Sequence, residues 1–293
     1  MRITNQIIQR RALDSIQRGM KGLDEAYNEI STGTRVRRSS DDPASHAGAI
    51  AADRRIESLL QYRRNVESSV ARMNTEETTV DQLTNVLDRA RELAVSQAAS
   101  NGTTATRLIA KVEVDQLIGE AIALGNTRHG NTFLFGGDFA DSAPFDASGA
   151  TDPARPPSGG ISSQIGDGRV VRVNHDGTEV FVSSGVLQSL RDLSTALGAD
   201  DTAGIASSIT DVASAFDEVQ NLLGETGARV RQLDNALANI DALEATVRTQ
   251  RSDLTDVEIE EAISNLASRQ NAYEAALLAT SRINTLTLAD YLR

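Results

Sequence analysis

The chain has 293 residues, of which 40% are hydrophobic, enough for one or two ordinary domains that need no metal or disulfide to fold. It contains no cysteine, which excludes disulfide frameworks, zinc knuckles and thiol nucleophiles. Its net charge of −12 argues against partners such as nucleic acid and anionic membranes, which favour basic surfaces.

A narrow apolar stripe predicts a first helix over residues 5–31. Its members step alternately by three and four residues, a spacing typical of coiled-coil packing. We call them the N-terminal seam: Leu13, Ile16, Met20, Leu23, Tyr27 and Ile30. Gly33 is expected to end this helix, because glycine readily adopts the left-handed conformation found after helix C-termini.

The segment between the first two helices is basic at its start and acidic at its end. Asp42 is the expected N-cap of a helix that begins at Pro43 and reaches about residue 99. Three arginines lie before this cap and suggest either an anion site or, as the better supported alternative in so acidic a chain, ion pairs within or between subunits. They are Arg35, Arg37 and Arg38.

Helical spacing continues through the rest of the chain outside its middle. A third helix is predicted from Thr103 or Thr104 to about residue 127, a short one over 187–197 and a long one over 205–252. A final helix carries a second stripe with steps of three and four residues, in which Gln270 occupies one position. The apolar members form the C-terminal seam: Ile259, Ile263, Leu266, Tyr273 and Leu277.

The middle of the chain has a different composition. Residues 130–185 hold ten of the 21 glycines and five of the six phenylalanines. Residues 132–135 read as a strand. Residues 169–174 and 178–182 read as a hairpin that turns at Asp176-Gly177.

These elements predict a mainly α fold in which long antiparallel helices from both chain ends form a coiled coil and a rod. The expected domains are a terminal coiled coil (1–42 and 254–293), a helical rod (43–129 and 186–253) and a β-rich outer insert (130–185). The two seams can pair with each other. Such an isolated pair buries little, so we expect it to be ordered firmly only beside neighbouring subunits. The sequence therefore favours an assembly component, with both seams as assembly contacts.

Little in the sequence favours catalysis. The three histidines, His46, His129 and His175, are far apart and are expected on the surface or in loops. Acidic pairs at 41–42, 76–77 and 260–261 are expected to be caps or solvated helix faces. Nucleotide-binding, hydrolase and EF-hand motifs are absent, so no enzyme activity, cofactor or metal is predicted. An enzyme would require histidine or carboxylate convergence in the insert.

The chain also lacks the sequence features of membrane targeting. Its longest apolar run has five residues, far short of the ~20 that span a bilayer. The N-terminus has no apolar core of a cleaved secretory signal. The acidic final helix does not suit binding at a membrane surface.

Three stretches together resemble the flagellin superfamily, and within it the proteins of the hook–filament junction. They are ISTGTRV at 30–36 followed by SSDDPA at 39–44, NTFLFGG at 131–137 with PF at 144–145, and YEAAL at 273–277 with LTLADYLR at 286–293. The helical stretch LDRARELAV at 87–95 is also typical of the superfamily. Filament flagellins usually have alanine in place of Pro43 and typically lack the FLFGG…PF element. Phe133 replaces the commoner tyrosine.

The resemblance implies a structural adaptor that joins the flagellar hook, through the first junction protein, to the filament, and that flagellin polymerisation requires. It further implies a ring of copies of the chain, flagellin as a neighbour, and an export chaperone in the cytoplasm. Export would use the flagellar type III apparatus without a cleaved signal, placing the protein outside the cell in the flagellum. A filament-forming flagellin and a secreted coiled-coil effector or translocator remain the alternatives.

Overall fold

The computed structural model describes residues 2–98 and 102–291, and it confirms the mainly α fold. The predicted end of the second helix at about residue 99 and the last two residues of the C-terminal motif lie outside the described residues. Six α-helices are present in the described part of the chain: α1 Arg2–Thr32, α2 Pro43–Ala98, α3 Thr104–Gly125, α4 Val186–Gly198, α5 Thr202–Thr255 and α6 Ile259–Tyr291. Short strands lie between α3 and α4: β1 Arg128–His129, β2 Thr132–Phe133, β3 Ser162–Gly166 and β4 Arg169–Arg172.

Local chemistry sets the helix ends where the sequence predicts them. Gly33 has a φ of +68° and donates its N–H to the carbonyl of Glu29 at 2.9 Å, which closes the last turn of α1. The carboxylate of Asp42 accepts the N–H groups of Ala44 and Ser45 at 3.0 and 3.1 Å and so caps α2. Thr103 caps α3 through a capping box.

The chain divides into two compact units. The terminal unit comprises Met1–Ser58 and Glu244–Arg293, and the central unit comprises Leu59–Leu243. The finer division into coiled coil, rod and insert stays a prediction.

The central unit has a continuous apolar core built from α2, α3, α4, α5 and the segment between α3 and α4. Within it α2 and α5 run antiparallel, since Arg63 contacts Asp241 at one end and Glu76 contacts Thr226 nearer the other. Three phenylalanines are fully buried, with the ring of Phe181 packed edge-on against Phe135 and Phe145 at centroid distances of 5.2 and 5.3 Å. This aromatic cluster joins the middle segment to the helices.

The predicted hairpin at 169–182 is wrong in its second half. β4 pairs antiparallel with β3, which precedes it, and the turn falls at residues 167–168, where Gly168 supplies a φ of +67°. The segment after β4 is helical over Thr178–Ser183, because the carboxylate of Asp176 accepts the N–H of Glu179 at 2.9 Å and starts a helical turn. Val180 and Phe181 then enter the core together.

The strand predicted at 132–135 is shorter than expected. β2 ends at Phe133 and pairs only with β1. The Gly136-Gly137 pair that follows permits a close backbone approach, since a Cβ at Gly137 would lie 2.2 Å from the carbonyl oxygen of Ser158. Gly137 also has a φ of +58°, which disfavours other residues.

Candidate assembly surface on the terminal helices

In the terminal unit, α1 packs antiparallel on α6 through small residues. The ring of Tyr273 crosses Gly19, and Arg269, one turn earlier in α6, reaches Gly22. Its Nη1 donates to the carbonyl of Gly22 at 3.0 Å. A Cβ at Gly22 would lie 2.6 Å from that nitrogen, so the absence of a side chain allows this contact.

The helix contact uses a row of small residues that are not members of either predicted seam. Gly19 and Ala26 lie seven residues apart on α1, and Ala26 is buried. Ala12 precedes them by another seven and is half-buried. A spacing of seven keeps all three on one side of the helix, so this row is a signal that sequence reasoning could have found. On α6, Ala262 is the corresponding buried small residue.

The structure separates the eleven predicted seam residues into two groups. Five are half-buried on the packed sides of the helices: Ile16, Leu23, Ile30, Leu266 and Tyr273. Six are exposed, with between 41% and 66% of their surface open to solvent: Leu13, Met20, Tyr27, Ile259, Ile263 and Leu277. The seams therefore do pair, but only three of the six N-terminal and two of the five C-terminal seam residues face the partner helix within the chain.

The exposed residues form a row along each helix. Leu13, Met20 and Tyr27, here called the N-terminal stripe, repeat every seven residues and so stand about 10 Å apart on one side of α1. Ile259, Ile263 and Leu277, the C-terminal stripe, lie on α6, where Leu278 is a further exposed leucine that the seam analysis missed. Rows of large apolar side chains open to water are unusual on a monomer and mark interaction surfaces.

An ion pair and hydrogen bonds within the chain hold the basic segment before α2 in place. Arg35 pairs with Asp42 at 3.8 Å and donates from Nη2 to the carbonyl of Leu254 at 3.2 Å, so intrachain pairing is confirmed for this arginine. The backbone N–H groups of Arg38 and Arg37 donate to the carboxylate of Asp41, and these bonds lower the pKa of Asp41.

One histidine and one acidic residue differ from expectation. His175 and Glu76 were expected at the surface or on a solvated face, yet both are buried, with at most 2% of the side chain exposed. The ring Nδ1 of His175 lies 2.6 Å from a carboxylate oxygen of Glu76, and its Nε2 lies 3.3 Å from Glu225. The hydroxyl of Thr226 completes the cluster. These residues are distant in sequence, so spacing gave no signal for the contact.

The cluster has a structural explanation. Glu76 also accepts the backbone N–H of His175, and Arg229 donates to the carbonyl of Asn174 at 3.2 Å. Buried polar groups that satisfy one another in this way fix the segment after β4 against α2 and α5. Elsewhere, Asp42 acts as a helix cap, as predicted, whereas the exposed Asp41 accepts a backbone N–H of the loop before it. Glu260 and Glu261 lie exposed in the first turn of α6.

Metal and membrane chemistry receive no support from the described residues. Across 2–98 and 102–291, no group of three histidine, cysteine or acidic side chains is arranged to hold a metal ion, and this includes the cluster of His175, Glu76 and Glu225. None of the helices in the same ranges combines the length and apolarity needed to cross a bilayer.

Models of known protein families match the parts of the chain that contain this surface. The family described as the bacterial flagellin N-terminal helical region matches residues 3–140, and its C-terminal counterpart matches residues 209–292. The chain belongs to the bacterial flagellin family. Both seams lie inside the matched ranges, so the paired terminal helices belong to the part of this chain that the family shares, together with α2, α3 and most of α5.

Individual relatives include both junction and filament proteins. Flagellar hook-associated protein 3 of Escherichia coli is 26% identical over 307 aligned residues, covering 93% of this chain and 96% of the relative. A flagellin of Halalkalibacterium halodurans is 25% identical, covering 76% of each chain. The crystal structure of Bacillus cereus FlgL is similar in fold, with a TM-score of 0.60 and 19% identity over 69% of this chain and 99% of that one.

Proposed function

We propose that this chain is a structural adaptor that joins the flagellar hook to the filament. The observation that carries the proposal is the pair of exposed apolar stripes on α1 and α6. A helix pair that buries half of each seam and leaves the other half open needs further helices to cover it. Neighbouring copies in a ring, the first junction protein below and flagellin above are the occupants that we propose.

The choice of a junction role over a filament role rests on the FLFGG…PF element, which filament flagellins typically lack. Coverage does not decide it: the match to hook-associated protein 3 of Escherichia coli covers 93% of this chain and 96% of the relative, and the match to a flagellin of Treponema pallidum covers 90% of each. In this role the protein acts by geometry and not by catalysis, and flagellin polymerises only on the surface that it provides.

The remaining parts of the proposal concern how the protein leaves the cell. We propose that the chain leaves the cell through the flagellar type III apparatus without a cleaved signal and that a chaperone holds it before export. The exposed stripes support this, because apolar rows that await a partner need protection in the cytoplasm. The outer face of the assembled ring would then carry residues 130–185.

The first experiment deletes the gene, together with any second copy, and examines the cell surface by electron microscopy while flagellin in the medium is assayed. Bare hooks with flagellin lost to the medium support the adaptor. Filaments that persist in shorter or altered form favour the filament-forming alternative. Normal filaments contradict both roles, and a protein found away from the flagellum would favour the secreted effector.

Complementation with stripe variants tests the surface itself. Leu13→Ala/Met20→Ala/Tyr27→Ala should leave bare hooks although the protein is exported, since it removes the N-terminal stripe and little intrachain packing. The matched control is Gln17→Ala/Asp24→Ala/Ser31→Ala, which truncates an exposed polar row with the same spacing on the same helix. Equal motility of the two strains would contradict the assembly role of the stripe.

A further inference from the structure

A polar cleft of about 370 Å³ lies in the central unit between α2 and the two hairpins of the middle segment. Arg64 and Arg72 of α2 line it, together with His129 of β1. Much of the remaining wall carries hydroxyl groups: Ser68, Ser69, Thr132, Ser162 and Ser163. No acidic residue is among the described residues that line it.

The innermost cation of the cleft, Arg72, is incompletely paired. Its side chain is nine-tenths buried and donates from Nη2 to the carbonyl of Leu134, but its Nε–H has no hydrogen-bond partner among the described residues. Burial lowers the pKa of the guanidinium, and the charge of Glu76 offsets this only in part. The Glu76 carboxylate is itself engaged by His175. An unsatisfied buried donor on a cation is costly unless an acceptor completes it.

The two arginines of the cleft lack carboxylate partners although the chain is acidic. Acidic residues outnumber lysine and arginine by 41 to 29, and several arginines elsewhere in the described chain do pair with carboxylates, as Arg89 does with Glu113 and Arg172 with Glu179. Arg64 instead donates to the neutral amide of Gln61 at 2.6 Å. Two arginines without a carboxylate within bonding distance therefore face one cleft, which leaves it locally positive in an acidic protein.

We propose that this cleft binds the oxyanion of a small ligand, a phosphate or sulfate group that is either free or carried on a sugar-sized polyhydroxyl compound. The guanidinium groups of Arg72 and Arg64 donate to the oxyanion, a geometry that arginine favours. The serine and threonine hydroxyls, which both donate and accept, bind the hydroxyl groups of a carried ligand. The volume lies in the range of small-ligand sites.

The test uses the full chain and the side-chain Nε–H signals of arginine in ¹H–¹⁵N NMR spectra. The Arg72 signal is assigned by its loss in Arg72→Lys. The probes are inorganic phosphate, glucose 6-phosphate and glucose, added at constant ionic strength. We expect saturable movement of the Arg72 signal with both phosphates and none with glucose. Tighter binding of glucose 6-phosphate identifies a carried oxyanion, and equal affinities identify a free one.

Two variants test whether phosphate binds in this cleft and not elsewhere on the protein. Arg64→Gln, at an exposed position that leaves the core intact, should weaken phosphate binding about tenfold, the loss expected for one charge-assisted hydrogen bond. Arg91→Gln, an exposed arginine of α2 outside the cleft, should leave it unchanged. The proposal is overturned if the Arg72 signal moves without saturation, if glucose alone produces the same movement, or if both variants weaken binding equally.

Discussion

The two units of this chain use apolar residues in opposite ways. The central unit closes its core, and its large side chains, Phe135, Phe145 and Phe181 among them, are fully buried. In the α1–α6 pair of the terminal unit, the most deeply buried residues are alanines, while Met20 and Tyr27 lie on the outside. The first arrangement stabilises one chain by itself, and the second leaves apolar surface for other chains. The difference supports the proposal that the terminal unit is an interface, whereas the central unit is a self-contained folded body.

The largest expected effect contrasts one aromatic residue from each unit. Phe181→Ala should lower the free energy of unfolding by about 3–5 kcal/mol, because it opens a cavity beneath two other rings. Tyr27→Ala should change it by less than about 0.5 kcal/mol in the monomer, because the ring is exposed. Urea unfolding followed by circular dichroism measures both. Similar losses for the two variants would break the contrast.

A second prediction tests how much the buried polar cluster around His175 contributes to the stability of the central unit. Glu76→Ala should cost about 2–4 kcal/mol, since His175 loses a buried acceptor on both its ring and its backbone. Glu77→Ala, the next residue on α2 and only half-buried, is the matched control and should cost less than about 0.5 kcal/mol. Thermal unfolding ranks the pair, and equal costs would show that the cluster contributes nothing.

Hydrogen exchange sharpens the contrast at the level of single helices. At low protein concentration, the amides of residues 13–30 and 259–277 should exchange much faster than those of residues 76–94 in α2, because thin packing allows the terminal pair to open locally. Mass spectrometry of the monomer provides the readout. Strong protection of the terminal segments in dilute solution would contradict the expectation that neighbours are needed to order them.

The smallest effect is a pH dependence within the central unit. Asp200 accepts hydrogen bonds from Arg107 and from Thr104, which lower its pKa below the ordinary 3.8. The ionised carboxylate therefore adds stability that is present above about pH 4 and is lost as the pH falls through the lowered pKa. Asp200→Asn keeps a residue that tolerates the observed φ of +56°. The difference in melting temperature between the two proteins should shrink between pH 6 and pH 2.

Local signals predicted the helices well and the contacts between distant segments poorly. Periodicity and caps located α1 and α2, because Gly33, Asp42 and Pro43 act within one turn of themselves. The turn predicted at Asp176-Gly177 failed because the neighbouring His175 is held by a residue 99 positions away. The FLFGG element was visible in the sequence, whereas the closeness of Gly137 to Ser158 was not.

The candidate site shows the same limit. The steps of three and four residues found both terminal seams, but they could not tell which half of each seam the chain covers itself. That depended on where small residues permit close approach, as Gly19 does beneath Tyr273. The cleft at Arg72 combines residues from α2 and both hairpins, so no linear motif describes it.

The pairing of α1 with α6 has a consequence for the order of folding. These helices begin 257 residues apart, at Arg2 and Ile259. Closing the chain between them therefore has a large entropic cost, and their contact returns little buried area in exchange. The terminal pair should therefore form last, after the central unit has brought the two halves of the chain together. A chain that emerges N-terminus first cannot form the surface on the α1–α6 pair until α6 has emerged. The part of the molecule that carries the exposed apolar stripes is therefore also the last to fold.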